Sequence, residues 1–291
     1  MKVLLTGATG LLGGALLGIL SRKGCKVSCL VRENSPNLGR LDTNQTRLVY
    51  GDAGHEDSLV RALDGMDALL HVAGIEYAPR VISAMRKSGV GRLVMVGSTS
   101  VHSAYDHRSG WRRRMESLVR ESGLDWTIVR PTMIYGSELD KNMHKLLRFL
   151  DRSPVFPVFG PGANLWQPVY YKDLARGIMA ALETPEAVRQ GYDLPGAEPL
   201  TYLDLVQTAA RALGRKPRIL RLPLEPVEYG LRLAEAVRLP LPVKSEQVMR
   251  LREDKAYPYE EARQDLGYAP RAFSEGILLE VARLRETRIV K

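Results

Sequence analysis

A glycine-rich loop near the start of the chain constrains the fold more than any other feature of the sequence. The apolar run at residues 2–6 is typical of a β-strand, and the run GATGLLG follows it directly at residues 7–13. Leucine and isoleucine then recur at helical spacing as far as residue 20. When a strand, a glycine loop and a helix follow one another in this order, the amino end of the helix points at the phosphates of a bound ligand. The loop therefore predicts a dinucleotide-binding site.

Three glycines of this loop have different physical tasks. Gly7 permits a tight turn, Gly10 lets the backbone approach a pyrophosphate, and Gly13 lets the helix pack against the strand. A glycine-rich turn that binds nothing is the alternative interpretation. The residues predicted to surround the pyrophosphate are Gly7, Thr9, Gly10, Leu11, Leu12 and Gly13.

Short apolar runs alternate with helical patterns through the first half of the chain. This alternation predicts an α/β fold with a doubly wound parallel sheet, the Rossmann fold, over residues 1–153. The predicted strands are 2–6, 26–32, 47–50, 68–72, 92–96 and 126–130, and the predicted helices are 11–23, 55–64, 76–88 and 109–122.

The second half of the chain has a different pattern, which begins after a stretch rich in proline and glycine at residues 154–168. It predicts a smaller, mostly helical C-terminal lobe over residues 154–291, with the segment around 168–195 packing back on the first domain. The predicted helices are 171–183, 201–213, 224–237, 244–254 and 273–286, and the predicted strands are 191–195 and 218–222. The apolar stretch Leu231–Leu241 is expected to pack in a core rather than to bind a partner or a membrane surface.

Composition narrows the function classes. The 291 residues include 42 basic and 33 acidic side chains, and the formal net charge of +9 favours an anionic small-molecule substrate. The basic residues lack interleaved aromatics, so we expect no nucleic-acid binding. Cys25 and Cys29 have no neighbouring metal ligands and are expected to be thiols in a reducing compartment, with no metal site. Glycines interrupt the leucine-rich start, so we expect no membrane span and a cytoplasmic location. We also expect a monomer or homodimer.

The end of the second predicted strand bears on cofactor choice. Arg32 is the first polar residue after this strand, where it can meet a 2′-phosphate, and Arg40 could assist. Glu33 is expected to point the other way because side chains alternate along a strand. These residues favour NADP(H) over NAD(H); the alternative is that Arg32 is only a solvated strand end.

Several motifs, taken together, resemble the short-chain dehydrogenase/reductase superfamily. They are GATGLLG at 7–13, Gly51-Asp52, HVAG at 71–74, GSTS at 97–100, RPTMIYG at 130–136, QPVYYKD at 167–173 and DLGYAP at 265–270. They resemble most its extended and atypical branch, which includes the NAD-dependent epimerase/dehydratase family and relatives of a complex I accessory subunit.

The resemblance implies further site residues. It adds cofactor contacts at Asp52, Ala53, Val72, Ala73, Gly74 and Pro131. It places Thr99, Tyr135, Gln167 and Tyr170 in the substrate cleft. It also implies an oxidoreductase or epimerase that acts by hydride transfer on a carbonyl or nucleotide-sugar-like substrate.

The sequence departs from this family at the acid/base pair. The family has a tyrosine and, four residues later, a lysine on the helix after the fifth strand, but the matching positions here are Arg108 and Arg112. In one interpretation Tyr105 donates the proton, Arg112 or Arg108 supplies the positive charge, and Ser98 orients the substrate oxygen.

Two histidines, His102 and His107, are back-up proton carriers in this interpretation. In the other interpretation the site binds the cofactor without catalysis, as a sensor or an assembly subunit. Fold analogy does not choose between the two.

Overall fold

A computed structural model describes residues 1–41, 46–224, 226, 229 and 253–291. Its centre is a seven-stranded, all-parallel sheet. The strands are β1 (Lys2–Thr6), β2 (Lys26–Val31), β3 (Thr46–Tyr50), β4 (Ala68–His71), β5 (Arg92–Val96), β6 (Asp125–Pro131) and β11 (Gln190–Leu194). Their order across the sheet is β3-β2-β1-β4-β5-β6-β11. This order confirms the predicted Rossmann fold.

Helices cover both faces of this sheet. They are α1 (Leu11–Arg22) and α6 (Tyr171–Glu183) on one face, and α2 (Glu56–Leu63), α3 (Ala78–Ser88) and α4 (Ser109–Arg120) on the other. The alternation of side chains in β1 explains the two layers: Val3 and Leu5 pack in the core with α1, whereas Leu4 packs in the core with α2 and α3.

Two elements from the second half of the chain are part of this central layer. The strand β11 extends the sheet beyond β6, with Tyr192 opposite Val129. On α6, Leu174 and Ile178 share a core with Leu16 of α1. The Rossmann layer therefore includes residues far beyond its first six strands.

The remaining elements form a smaller lobe around a third core that includes Leu147, Leu205 and Ile277. Its helices are α5 (Met143–Arg152), α7 (Tyr202–Leu213) and α9 (Phe273–Glu286), with α8 (Glu260–Leu266) packed on the central layer. Its strands are β7 (Ile134–Tyr135), β8 (Val155–Phe159), β9 (Leu165–Trp166), β10 (Val169–Tyr170), β12 (Leu200–Thr201) and β13 (Arg218–Leu222).

Most predicted elements agree with the structure to within two residues. Four of the short strands contain only two residues, too few to show an alternating pattern. The helices predicted at 224–237 and 244–254 and the stretch Leu231–Leu241 lie outside the described residues, apart from a few positions. No helix in the described ranges is long and apolar enough to cross a membrane.

The core of the lobe contains a buried acid. Glu280 of α9 is 0% exposed, and burial together with the neighbouring Asp140 carboxylate raises its pKa to about 10. Glu280 is therefore a neutral carboxylic acid in the folded protein at pH 7, whereas it ionises in the unfolded chain.

We expect Glu280→Gln to stabilise the protein by on the order of 3 kcal/mol at pH 7, because the unfolded state no longer gains by releasing this proton. In the wild type, stability contributed by this group falls as pH rises from about 4.5 toward about 10. Urea unfolding at several pH values measures this slope, which should flatten in the variant. Glu286→Gln, at an exposed position on the same helix, should keep the slope, and equal slopes in both variants would contradict the assignment.

Candidate functional site

A cleft of about 950 Å³ opens at the carboxyl ends of the central strands, between the sheet and the smaller lobe. The glycine loop forms one end of it, with Gly10 and Leu11 in the wall. Ser98, which follows β5, also lines it, as do Trp166 and Tyr202 of the smaller lobe. Ligands of doubly wound sheets bind at this edge.

The glycine loop fits a pyrophosphate. Gly7 has a φ of +73°, and a Cβ on Gly13 would lie 2.1 Å from the Gly7 carbonyl oxygen, so packing within the protein explains both glycines. A Cβ on Gly10 would meet only that same oxygen, at 3.4 Å. Gly10 is exposed in the cleft and is the N-cap residue of α1, where it has no side chain to bond the helix amides. The first turn of α1 contains no acidic residue. This end of α1 is therefore open to an anion.

A buried histidine holds the neighbouring segment against this loop. Nε2 of His71 donates to the Gly74 carbonyl oxygen at 2.8 Å, and Nδ1 accepts from Thr6 Oγ1 at 3.0 Å. Burial lowers the pKa of His71 to about 4, so the ring is neutral and fits these two roles. The Thr6 hydroxyl accepts from the amides of Val72 and Ala73 in turn. The predicted cofactor segment 72–74 is thereby fixed beside Gly7.

A second pocket, of about 520 Å³, lies past the end of β2. Asp52 lines it and accepts from the Gly54 amide at 2.7 Å, while Ala53 is buried behind. Arg32 also lines it, is exposed, and has no hydrogen bond or ion pair from its side chain to any described residue. This pocket has the position and the charges to receive the adenosine end of a dinucleotide.

Two expectations for this pocket were wrong. Glu33 lines it beside Arg32 rather than pointing away, because β2 ends at Val31 and the chain turns immediately, so strand alternation no longer applies. Arg40 lies outside the pocket and pairs with Glu138 at 3.2 Å.

The floor of the cleft carries hydroxyl groups. Ser98 Oγ accepts from Ser100 Oγ at 2.9 Å and from the Ser100 amide at 3.2 Å. Thr99 donates to the carbonyl oxygen of Pro131 at 3.3 Å, which ties the ends of β5 and β6 together. All of these residues line the cleft, and Ser98 keeps its own proton available for a ligand oxygen.

Tyr105 does not reach the cleft. Tyr105 is 41% exposed and is absent from the lining of the cleft. Ser103 Oγ accepts from the amides of Tyr105 and Asp106 and forms a turn at this point. Arg112 does line the cleft, but its guanidinium is paired with Asp106 at 2.6 Å. Tyr105, the proton donor of the first interpretation, therefore lies outside the lining of the cleft in this structure.

The two histidines are also outside the lining of the cleft. His102 pairs with Asp193 at 3.0 Å, and its ring lies 5.4 Å from that of Tyr257. His107 is exposed.

Three predicted substrate residues are engaged within the protein. Tyr135 is fully buried, and Tyr170 is 5% exposed beneath the Arg271 guanidinium; neither lines the cleft, because both rings fill the core of the smaller lobe. Gln167 lines the cleft, but its amide donates to the Gly196 carbonyl oxygen at 2.9 Å and accepts from the Tyr257 amide at 2.8 Å.

The sequence did not reveal the C-terminal strap, residues 253–257, which crosses the cleft. Glu253 accepts from Ser103 Oγ at 2.7 Å, and the Lys255 amide donates to the Leu165 carbonyl oxygen at 2.7 Å. The Lys255 ammonium lies 3.6 Å from the centre of the Trp166 ring. Lys255 and Tyr257 both line the cleft, so it contains a lysine and a tyrosine that do not have the family's spacing. No local pattern in the sequence marks them.

Comparisons with known proteins agree with this geometry. A family model described as NAD(P)H-binding matches residues 7–149, and the model of the NAD dependent epimerase/dehydratase family matches residues 111–194. Ceramide reductase from Caulobacter vibrioides is 29% identical over 244 residues, 76% of this chain and 73% of that protein. NADH dehydrogenase [ubiquinone] 1 alpha subcomplex subunit 9 from Arabidopsis thaliana is 26% identical over 84% of this chain and 66% of that subunit, so the chain spans about two thirds of its length.

Solved structures have the same fold. The crystal structure of gox2253 has a TM-score of 0.84 at 22% identity and covers 100% of this chain and 99% of its own. The UDP-glucose 4-epimerase from Thermotoga maritima, solved with UDP-glucose, has a TM-score of 0.77 at 17% identity and covers 99% of this chain and 100% of its own.

Proposed function

Because the chain belongs to the extended branch of the NAD(P)-binding short-chain dehydrogenase/reductase superfamily, we propose that it is an NADP(H)-dependent reductase of a carbonyl compound. One observation carries this proposal: the open amino end of α1 and the hydroxyl of Ser98 line one cleft of about 950 Å³. A dinucleotide along the strand ends and a carbonyl substrate would be neighbours in it.

The chain's own groups divide the binding of the dinucleotide between two places. The amides of Leu11 and Leu12 would hold the pyrophosphate, and Arg32 would meet a 2′-phosphate in the second pocket. When bound, a reduced nicotinamide supplies the hydride, with its two electrons, that a carbonyl carbon accepts on reduction to an alcohol. The protein must then supply one proton to the oxygen.

Ser98 and the strap supply the remaining chemistry in this proposal. Ser98 donates a hydrogen bond to the carbonyl oxygen and orients it. The hydroxyl of Tyr257 gives its proton to that oxygen as charge develops, and water at the mouth of the cleft returns a proton to Tyr257. Lys255, two residues before Tyr257 on the strap, adds positive charge to the lining of the cleft, which favours the transient tyrosinate.

Arg32→Ala should weaken NADPH binding by about 10- to 100-fold, since it removes a charge-assisted contact to the 2′-phosphate. NADH affinity should stay within about twofold, because that cofactor lacks the phosphate. Fluorescence titration with both nucleotides measures this, with Arg40→Ala as the matched control outside the pocket. A wild-type preference for NADH would overturn the role of Arg32.

A second candidate is cofactor binding without catalysis, in a sensor or an assembly subunit. The exposed position of Tyr105 supports it, as does the similarity to the plant complex I subunit. NADPH oxidation in the presence of ketones, aldehydes and nucleotide-sugars separates the two. Tight NADPH binding with no turnover on any of these classes would favour the second candidate, whereas one substrate with robust turnover would exclude it.

A further inference from the structure

We propose that the part of the cleft beneath the smaller lobe binds an aliphatic chain, so that the substrate is a carbonyl compound with an alkyl or acyl tail. The carbonyl group of this substrate rests on the proposed reductase function, whereas the binding of its aliphatic chain rests on the residues of the cleft alone.

The wall that would hold this chain is apolar and comes from five parts of the fold: the loop after β6, β7, the loop after β7, α5 and α7. Its side chains are Met133, Ile134, Leu139, Met143, Leu146 and Leu205. Met143 and Leu205 are each 1% exposed and belong to the core of the smaller lobe, so the wall is continuous with that core. Leucine and methionine adapt to a flexible chain, and an apolar ligand gains by leaving water for such a surface.

Two polar side chains beside this wall, those of Gln167 and Asp140, make hydrogen bonds within the protein. The amide of Gln167 bonds to the backbone of Gly196 and Tyr257. The Asp140 side chain is 0% exposed, and its carboxylate accepts from the Asn142 amide at 2.9 Å and from His144 Nδ1 at 3.2 Å. Nε1 of Trp166 is a buried donor with no partner among the described residues.

A sugar ring has several hydroxyls, and those placed against the apolar side chains of this wall would lose water without gaining a partner. The wall therefore selects a chain of methylene groups over a polyhydroxylated ring, even though the fold is shared with a nucleotide-sugar epimerase.

A series of methyl ketones from butan-2-one to decan-2-one, reduced with NADPH by the full chain, tests the inference. We expect kcat/KM to rise by about fourfold per added methylene while the chain lies on the wall. Leu146→Asn, at a partly buried wall position, should flatten this dependence. Leu278→Asn, which changes a residue of α9 that is 56% exposed and outside the cleft, should preserve it. Equal kcat/KM for short and long ketones would overturn the inference and leave the reductase proposal intact.

A binding measurement separates the inference from the chemistry. Tryptophan fluorescence, with Trp166 in the cleft, is titrated with butan-2-one and decan-2-one without nucleotide. Tighter binding of decan-2-one that is lost in Leu146→Asn supports the chain site even if no ketone is reduced. Binding that does not depend on chain length overturns the chain site, whatever the turnover.

Discussion

Tyr257→Phe should lower kcat for carbonyl reduction by about 100-fold or more, because the variant lacks the proton that the developing alkoxide needs. NADPH affinity should be unchanged, since the contacts proposed for the glycine loop and Arg32 do not use the Tyr257 hydroxyl. The phenylalanine ring keeps the contact with His102, and the backbone amide of Tyr257 still reaches Gln167, so the strap should stay in place. Steady-state kinetics with NADPH, together with a nucleotide titration, measure both quantities.

Tyr105→Phe is the matched control for this variant. Tyr105 is exposed and lies outside the lining of the cleft, so its loss should change kcat by less than about twofold, as surface substitutions usually do. If Tyr105→Phe abolished turnover and Tyr257→Phe did not, the loop after Ser103 would have to rearrange on substrate binding. The sequence-based assignment of Tyr105 would then be restored.

Gly10→Ala and Gly13→Ala should fail in different ways, although both glycines belong to one loop. A Cβ on Gly10 meets only the Gly7 carbonyl oxygen, at 3.4 Å, so the fold should persist. That Cβ enters the space that a pyrophosphate needs, and we expect NADPH binding to weaken by about 100-fold as its contacts with the amides are lost.

In Gly13→Ala, by contrast, the new Cβ would lie 2.1 Å from the Gly7 carbonyl oxygen and 2.8 Å from the Cα of Ala8. Backbone must move, so we expect a loss of about 3 kcal/mol or more in the free energy of unfolding. Urea unfolding and NADPH titration of both variants measure these effects. A stable Gly13→Ala protein, or a Gly10→Ala protein that binds NADPH normally, would contradict this account of the loop.

These expectations divide the site into two halves with different origins. The dinucleotide half depends on a loop and strand ends that match the family closely. The chemical half has arginines at the family's tyrosine and lysine positions, and in our proposal Tyr257 and Lys255 of the strap, which line the cleft, take their roles. Both candidate functions therefore share the dinucleotide half. They differ in whether Tyr257 donates a proton to a substrate, as it would in a reductase but not in a subunit that only binds the nucleotide.

The sequence by itself determined the central sheet, the glycine loop and the dinucleotide-binding class. These depend on hydrophobic periodicity and glycine spacing within short segments, which the local chain encodes. The prediction that residues of this loop surround a pyrophosphate rests on the same local spacing.

Only the tertiary structure decided which side chains enter the cleft. It brought Glu33 into the second pocket, directed Tyr105 toward solvent, and buried Tyr135 in the lobe. It also brought Tyr257 across the cleft through contacts such as that between Ser103 and Glu253, which are 150 residues apart. The direction of a side chain at a turn or at a lobe boundary depends on such distant partners, and no pattern within a short segment records them.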